Sequence, residues 1–163
     1  MRKIILYSAM SLDGFIARPD GEIDWLFDDQ DYGYSEFLQR IDTTLMGNRT
    51  YQQILTFGDF PYTDKTNYVF TRSATVQDDG RVQFVYSDLV NLVTELKQQP
   101  GRDIWLIGGG QINTLLLNAE LIDEMILSVH PTVLGSGVPL FGGKPKTAQF
   151  TLKHSQPFAS GLI

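Results

Sequence analysis

The feature that most constrains this chain is a series of short apolar runs that carry no polar alternation. They lie at residues 3–10, 44–46, 67–71, 82–86, 103–107 and 124–133, and they are rich in β-branched and aromatic side chains. A strand that is apolar on both faces must be covered on both faces, and helices supply that cover in a parallel sheet. Helical patterns do separate the runs. In residues 88–99, Leu89, Leu92, Val93 and Leu96 fall at i, i+3, i+4 and i+7, with Ser87 or Asp88 placed to cap the helix. Residues 35–41 (Phe37, Leu38, Ile41) and 50–57 (Tyr51, Ile54, Leu55) form two more such patterns. The expectation is an α/β chain with a mainly parallel sheet, read as one domain over residues 1–163. The alternating segment 147–156, after Gly142-Gly143, predicts a closing antiparallel strand.

Several of these strands end in residues suited to holding an anion. The run 103–107 meets Gly108-Gly109-Gly110 and then an amphipathic stretch, Gln111-Ile112-Asn113-Thr114-Leu115-Leu116-Leu117. Glycines permit close backbone approach, and the first amides of the following helix have no partner within it. A tight strand-to-helix turn is the competing explanation for a lone triplet. The same arrangement recurs, however, at Gly47-Asn48-Arg49-Thr50, where Asn48 as an ordinary cap is the alternative, and at Thr71-Arg72-Ser73. Ligands of open α/β sheets collect at the carboxyl ends of strands, where all three clusters fall. Arg49 and Arg72 favour an additional phosphate, which points to NADPH over NADH.

Other chemistries lack their signatures. The glycines form neither an N-terminal G-x-G-x-x-G fingerprint nor a P-loop. With two histidines, no cysteine, no H-E-x-x-H and no G-x-S-x-G, neither a zinc site nor a standard hydrolase is expected. The acidic stretch Asp20, Glu22, Asp24, Asp28, Asp29, Asp31 and Glu36 does not follow calcium-loop spacing, so no metal is expected. A formal charge of −6 argues against nucleic acid as a partner. No apolar stretch approaches the ~20 residues of a membrane span, and the absence of cysteine suits a reducing cytoplasm. His130, next to Pro131, is expected to be structural. Asp13-Gly14 is a turn signal, with Asp13 either a turn residue or a carboxylate at the mouth of the sheet.

Taken in order, Met10-Ser11-Leu12-Asp13-Gly14-Phe15-Ile16-Ala17, Trp25, Leu45-Met46-Gly47-Asn48-Arg49-Thr50-Tyr51, Leu106-Ile107-Gly108-Gly109-Gly110, Ile122-Asp123-Glu124 and residues 131–141 resemble the dihydrofolate-reductase-like superfamily. Within it the chain is similar to stand-alone relatives of the riboflavin-biosynthesis reductase domain. The resemblance implies a three-layer α/β/α fold with a mainly parallel central sheet and a C-terminal antiparallel strand. It implies NADPH as cofactor, held by Ala9, Ile16, Gly47, Asn48, Arg49, Thr50, Thr71, Arg72, Ser73, Gly108, Gly109, Gly110, Gln111 and Ile112. Asp13, Trp25, Leu134 and Gly135 would face a small-molecule substrate, with Asp13 the candidate proton donor and bound water its rival.

The resemblance also implies a homodimer paired through residues 124–141 and the terminal strand. In the riboflavin branch the substrate is a phosphoribosylamino pyrimidine whose ribose is reduced. A pterin reductase, or a nucleotide-binding relative without catalysis, are the alternatives. This chain departs from the riboflavin branch at Gly108, where those reductases commonly carry Glu, and at Tyr51-Gln52-Gln53-Ile54, where they carry Asp-x-Pro. Against true dihydrofolate reductase, none of Asp24, Asp28 and Asp29 sits unambiguously where the pterin-binding carboxylate belongs. The final strand, ending at Gly161-Leu162-Ile163, is expected to be short.

Overall fold

A computed structural model describes residues 1–73 and 79–163. In chain order the elements are β1 (Ile4–Met10), β2 (Phe15–Ala17), α1 (Tyr34–Arg40), β3 (Ile41–Gly47), α2 (Asn48–Thr56) and β4 (Thr66–Phe70). They continue with β5 (Gln83–Val85), α3 (Leu89–Gln98), β6 (Asp103–Gly108), α4 (Gly110–Asn118), β7 (Glu124–Val129) and β8 (Val138–Pro139). Six strands form one sheet in the order β5-β4-β3-β6-β1-β7, and every neighbouring pair is parallel. The short strands β2 and β8 pair antiparallel beside it.

Burial follows from the doubly apolar strands. Successive residues Ile4, Ile5 and Leu6 point to opposite faces, yet all three are fully buried. Each such side chain contributes about 1.5–3 kcal/mol. On one face Leu6, Leu45 and Leu106 pack with Val93 and Leu96 of α3 and Leu116 of α4. On the other, Ile5, Ile41 and Trp105 meet Phe37 of α1, while Met46 and Val69 meet Tyr51 of α2. Among the described residues no helix is long and apolar enough to cross a membrane.

The C-terminal part differs from expectation. The run predicted to end at residue 133 stops at Val129, because His130 is followed by Pro131, which has no amide hydrogen to continue the ladder. Residues 147–156 form no strand, and residues 143–157 are all exposed. Alternation alone does not make a strand without a partner ladder. The antiparallel pairing at this end is confined to a reciprocal bond between Val129 and Ile163, at 2.7 and 3.1 Å.

His130 is structural, as expected. Its backbone N–H donates to the Met10 carbonyl, and its buried ring stands edge-on to Trp25 and tilted against Phe27. Nε2 accepts the Phe27 backbone N–H at 3.1 Å, which leaves the proton on Nδ1, facing the Ser128 carbonyl at 3.1 Å. Burial holds this imidazole below the ordinary 6.5. A lowered pKa means that the folded state prefers the neutral ring. Its stabilisation is complete above about pH 6.5 and is lost as pH falls toward the folded pKa. The melting temperature is therefore expected to fall between pH 7.5 and pH 5.0, with a smaller fall in His130→Asn. Parallel melting profiles of the two proteins over that range would remove His130 as the cause.

Candidate functional site

The sheet order places β3 and β6 side by side although they are far apart in sequence. From β3 the chain runs through α2 to β4 on one side; from β6 it runs through α4 toward β7 on the other. The two helices lie on opposite faces of the sheet. A crevice opens where such connections diverge, at the carboxyl ends of the strands. The ladder is irregular there, since Leu45 pairs with Leu106 but Met46 pairs with Gly108.

Glycines shape both turns in different ways. Gly47 and Gly109 are the N-cap residues of α2 and α4, and neither helix has a side-chain cap. The first-turn amides are thus left without a capping side chain. Asn48, predicted as a possible cap, is instead the first residue of α2. A Cβ on Gly47 would lie 3.4 Å from Ile112, and one on Gly109 would lie 3.4 Å from Thr50 Oγ1. The two turns therefore face each other at van der Waals distance. Gly108 has φ +113°, and a Cβ there would lie 3.2 Å from Asn113 Oδ1. Gly110 allows the closest approach: its Cβ would stand 2.4 Å from the Pro139 carbonyl oxygen.

The third cluster joins them. The Thr71 N–H donates to the Val85 carbonyl at 3.0 Å, and Thr71 Oγ1 accepts the Ser73 N–H at 3.1 Å. Arg72 Nη2 donates to Gln111 Oε1 at 3.0 Å, which links the end of β4 to the start of α4. Arg49 is exposed and forms no ion pair among the described residues. Ala9, Ile16, Gly47, Asn48, Arg49, Thr50, Thr71, Arg72, Ser73, Gly109, Gly110, Gln111 and Ile112 all line one cleft of about 2350 Å³. Gly108 does not line it; its part is to set the backbone at the end of β6.

The residues expected to face substrate are elsewhere. Asp13, Trp25, Leu134 and Gly135 are not among the cleft-lining residues. Asp13 Oδ1 accepts the Ser11 hydroxyl at 2.6 Å and the Leu134 N–H at 3.1 Å, while Oδ2 accepts the Gly135 N–H at 2.8 Å. The Ser11 hydroxyl, aided by these two amides, holds the Asp13 carboxyl below the usual Asp range. Asp13 thus clamps one loop to another, with each carboxylate oxygen accepting at least one bond. Trp25 is buried against His130. The structure thus brings Asp13, Leu134 and Gly135 together in one hydrogen-bonded cluster, beside the cleft lining and not in it.

An aromatic wall lines the same cleft: Tyr7 on β1, Tyr34 on α1, Tyr62, and Trp105 on β6. Ring centroids of Tyr62 and Trp105 are 5.1 Å apart, and those of Tyr34 and Trp105 are 5.9 Å apart. The Tyr34 and Tyr62 hydroxyls lie 3.2 Å from each other. Burial raises the pKa of Tyr7, Tyr34 and Tyr62, so the three phenols stay protonated. Two of these residues were open to sequence reasoning, because Tyr7 shares a strand face with Ala9 and Trp105 runs beside Ile5. Tyr62 lies outside the regular elements and left no periodic signal. Among the described residues there is no group of three or more His, Cys, Asp or Glu able to hold a metal ion.

Residues 2–163 match the family model described as the RibD C-terminal domain. The chain is 41% identical to the uncharacterized protein YwjB of Bacillus subtilis strain 168, over 99% of this chain and 95% of YwjB. It is 37% identical to the uncharacterized protein YyaP of the same organism, over 99% and 92% of the two chains. The crystal structure of a putative riboflavin biosynthesis protein from Shewanella sp. PV-4 superposes with TM-score 0.85 at 32% identity, covering 99% of this chain and 95% of that one. A diaminohydroxyphosphoribosylaminopyrimidine deaminase/5-amino-6-(5-phosphoribosylamino)uracil reductase from Thermotoga maritima shares the fold, with TM-score 0.72 at 17% identity. That match covers 99% of this chain and 54% of the Thermotoga protein.

The glycine geometry predicts opposite outcomes at neighbouring positions. Gly110→Ala would drive a methyl group into the Pro139 carbonyl oxygen at 2.4 Å. It should cost about 1–3 kcal/mol or more of stability by denaturant unfolding. Gly109 has φ −75°, open to any residue, so Gly109→Ala should fold normally. Equal stability of the two variants would contradict this packing.

Proposed function

The chain belongs to the RibD C-terminal domain family, and from that premise we propose that it is a cytoplasmic NADPH-dependent reductase of a small pyrimidine- or pterin-type molecule, resembling 5-amino-6-(5-phosphoribosylamino)uracil reductase. The observation that carries this reading is the meeting of two glycine turns, two uncapped helix starts and two arginines in one cleft. The dinucleotide pyrophosphate fits the Gly47 and Gly109 turns, where no side chain stands between ligand and backbone. Arg49, Arg72, Thr71 and Ser73 supply the cationic and hydroxyl groups that a 2′-phosphate needs.

When bound, the cofactor supplies the hydride, and the chain supplies position and field. Ala9 and Ile16 form the apolar surface beside the nicotinamide. The tyrosines and Trp105 form the wall against which the substrate lies. With both Asp13 oxygens engaged outside the cleft, the proton reaches the substrate from water.

NADPH should bind at least tenfold more tightly than NADH. One charge-assisted bond to the 2′-phosphate is worth about 1.5–3 kcal/mol, roughly tenfold to a hundredfold in affinity. Titration of both nucleotides by quenching of tryptophan fluorescence checks this. Arg49→Ala and Arg72→Ala should narrow the difference, whereas Gly109→Ala should weaken both nucleotides. Equal affinity for the two would defeat the assignment.

The same reading includes a homodimer. β7 is an edge strand, and residues 143–157 are all exposed, with Phe150 45% and Leu152 80% accessible. Open edges with apolar neighbours are normally covered. Light scattering at micromolar concentration should give twice the chain mass, and a monomer would contradict the pairing.

A further inference from the structure

The charged groups of the cleft are divided unevenly. Among the described lining residues the cations are Arg49 and Arg72, at the ends of β3 and β4. Residues 74–78 contain no Lys or Arg. The other charged residues among the described lining are acidic: Asp20, Glu22, Asp59 and Asp88. Asp31 adds to this field, since its charge helps to raise the pKa of both Tyr7 and Tyr34.

Cations near the aromatic wall are already engaged. Lys65 Nζ is held by the Leu38 and Ile41 carbonyls and by Asp64, each at 3.2 Å, and Arg102 Nη1 donates to the Gln39 carbonyl at 2.8 Å. A phosphate group carried into this end would lose its hydration and meet, among the described residues lining the cleft, no cation besides Arg49 and Arg72. With NADPH in place, Arg49 and Arg72 are themselves committed to its phosphates.

The wall is instead suited to a flat neutral ring. Trp105 Nε1 already donates to the Tyr7 carbonyl at 3.1 Å. The Tyr34–Tyr62 pair uses one hydroxyl hydrogen internally and keeps one to donate, together with acceptor lone pairs. Aromatic faces and neutral hydroxyls recognise a planar heterocycle through stacking and hydrogen bonds.

We propose that the substrate of this cleft is a planar heterocycle without a phosphate group, seated on Tyr7, Tyr34, Tyr62 and Trp105. The proposal rests on the NADPH-reductase reading above and narrows it. It sets this chain apart from a reductase of phosphoribosylamino pyrimidines, even though the fold is shared.

The test compares 5-amino-6-(5-phosphoribosylamino)uracil with the same compound after removal of its phosphate. Both are titrated calorimetrically into the full chain, with and without saturating NADPH. The dephosphorylated compound is expected to bind at least ~tenfold more tightly, and added salt should narrow the gap by screening the acidic groups. Tyr34→Phe, which keeps the ring, should weaken its binding about fivefold and leave NADPH affinity unchanged.

If NADPH binds and the phosphorylated compound binds as tightly or more so, the proposal is overturned while the reductase reading stands. Binding of NADPH with neither compound bound has the same consequence. Failure of NADPH itself to bind removes the reductase reading, and this proposal with it.

Discussion

The adjacency of β3 and β6 is the constraint on which the rest of this structure depends. Two strands distant in sequence lie side by side, and the chain leaves them in opposite directions and onto opposite faces. That divergence opens the sheet at its carboxyl end, where the β3–β6 register shifts between Leu45 and Met46. Everything placed at the ends of these strands then shares one crevice, whatever its separation in the chain. Gly47 and Ile112 are neighbours for this reason, as are Gly109 and Thr50.

The opposite end of the sheet shows what a closed edge looks like. Arg2 is buried in an ion pair with Asp42 and also donates to Thr43 and to the Arg102 carbonyl. Arg40 reaches Asp103 and Glu124, while Lys97 reaches Asp123 at 2.6 Å. The exposed pairs of Arg40 add little to stability individually, whereas Arg2 and Lys97 are buried cations that need their partners. The effect of these pairs is to match charge against charge at the amino ends of the strands. At the carboxyl ends Arg49 has no such partner among the described residues, and Arg72 donates to the neutral amide of Gln111.

The parallel sheet was legible because residues such as Ile4, Ile5 and Leu6 leave no solvent face, and the strand-end clusters were legible because glycine, hydroxyl and arginine coincide there. What escaped depends on distant pairing. Asp13-Gly14 has the composition of both a turn and a substrate contact. Only the position of the Leu134 and Gly135 amides decides that the carboxylate is a clamp. The alternation in residues 147–156 is that of a strand, but alternation cannot say whether a ladder partner exists within the chain. Tyr62 enters the site from an irregular segment, where neither a helical nor a strand period points to the cleft. Gly108, Gly109 and Gly110 look alike in sequence, yet Gly108 sets a dihedral outside the cleft lining, while Gly109 and Gly110 line it and Gly110 is also packed against a carbonyl.

The packing behind Gly110 has a thermodynamic consequence. The Gly142 N–H donates to the Gly110 carbonyl at 3.0 Å, and Asn113 Nδ2 donates to the Leu140 carbonyl at 2.8 Å. The Leu140 N–H in turn donates to the Gly14 carbonyl at 2.9 Å. A glycine-rich turn left free would have many backbone states to lose when a ligand arrived. This one is held by residues 139–142, a segment whose Pro139 and Gly142 also line the cleft. Its conformational entropy is surrendered during folding, so binding energy gained at its open side is kept as affinity instead of being consumed in ordering the loop.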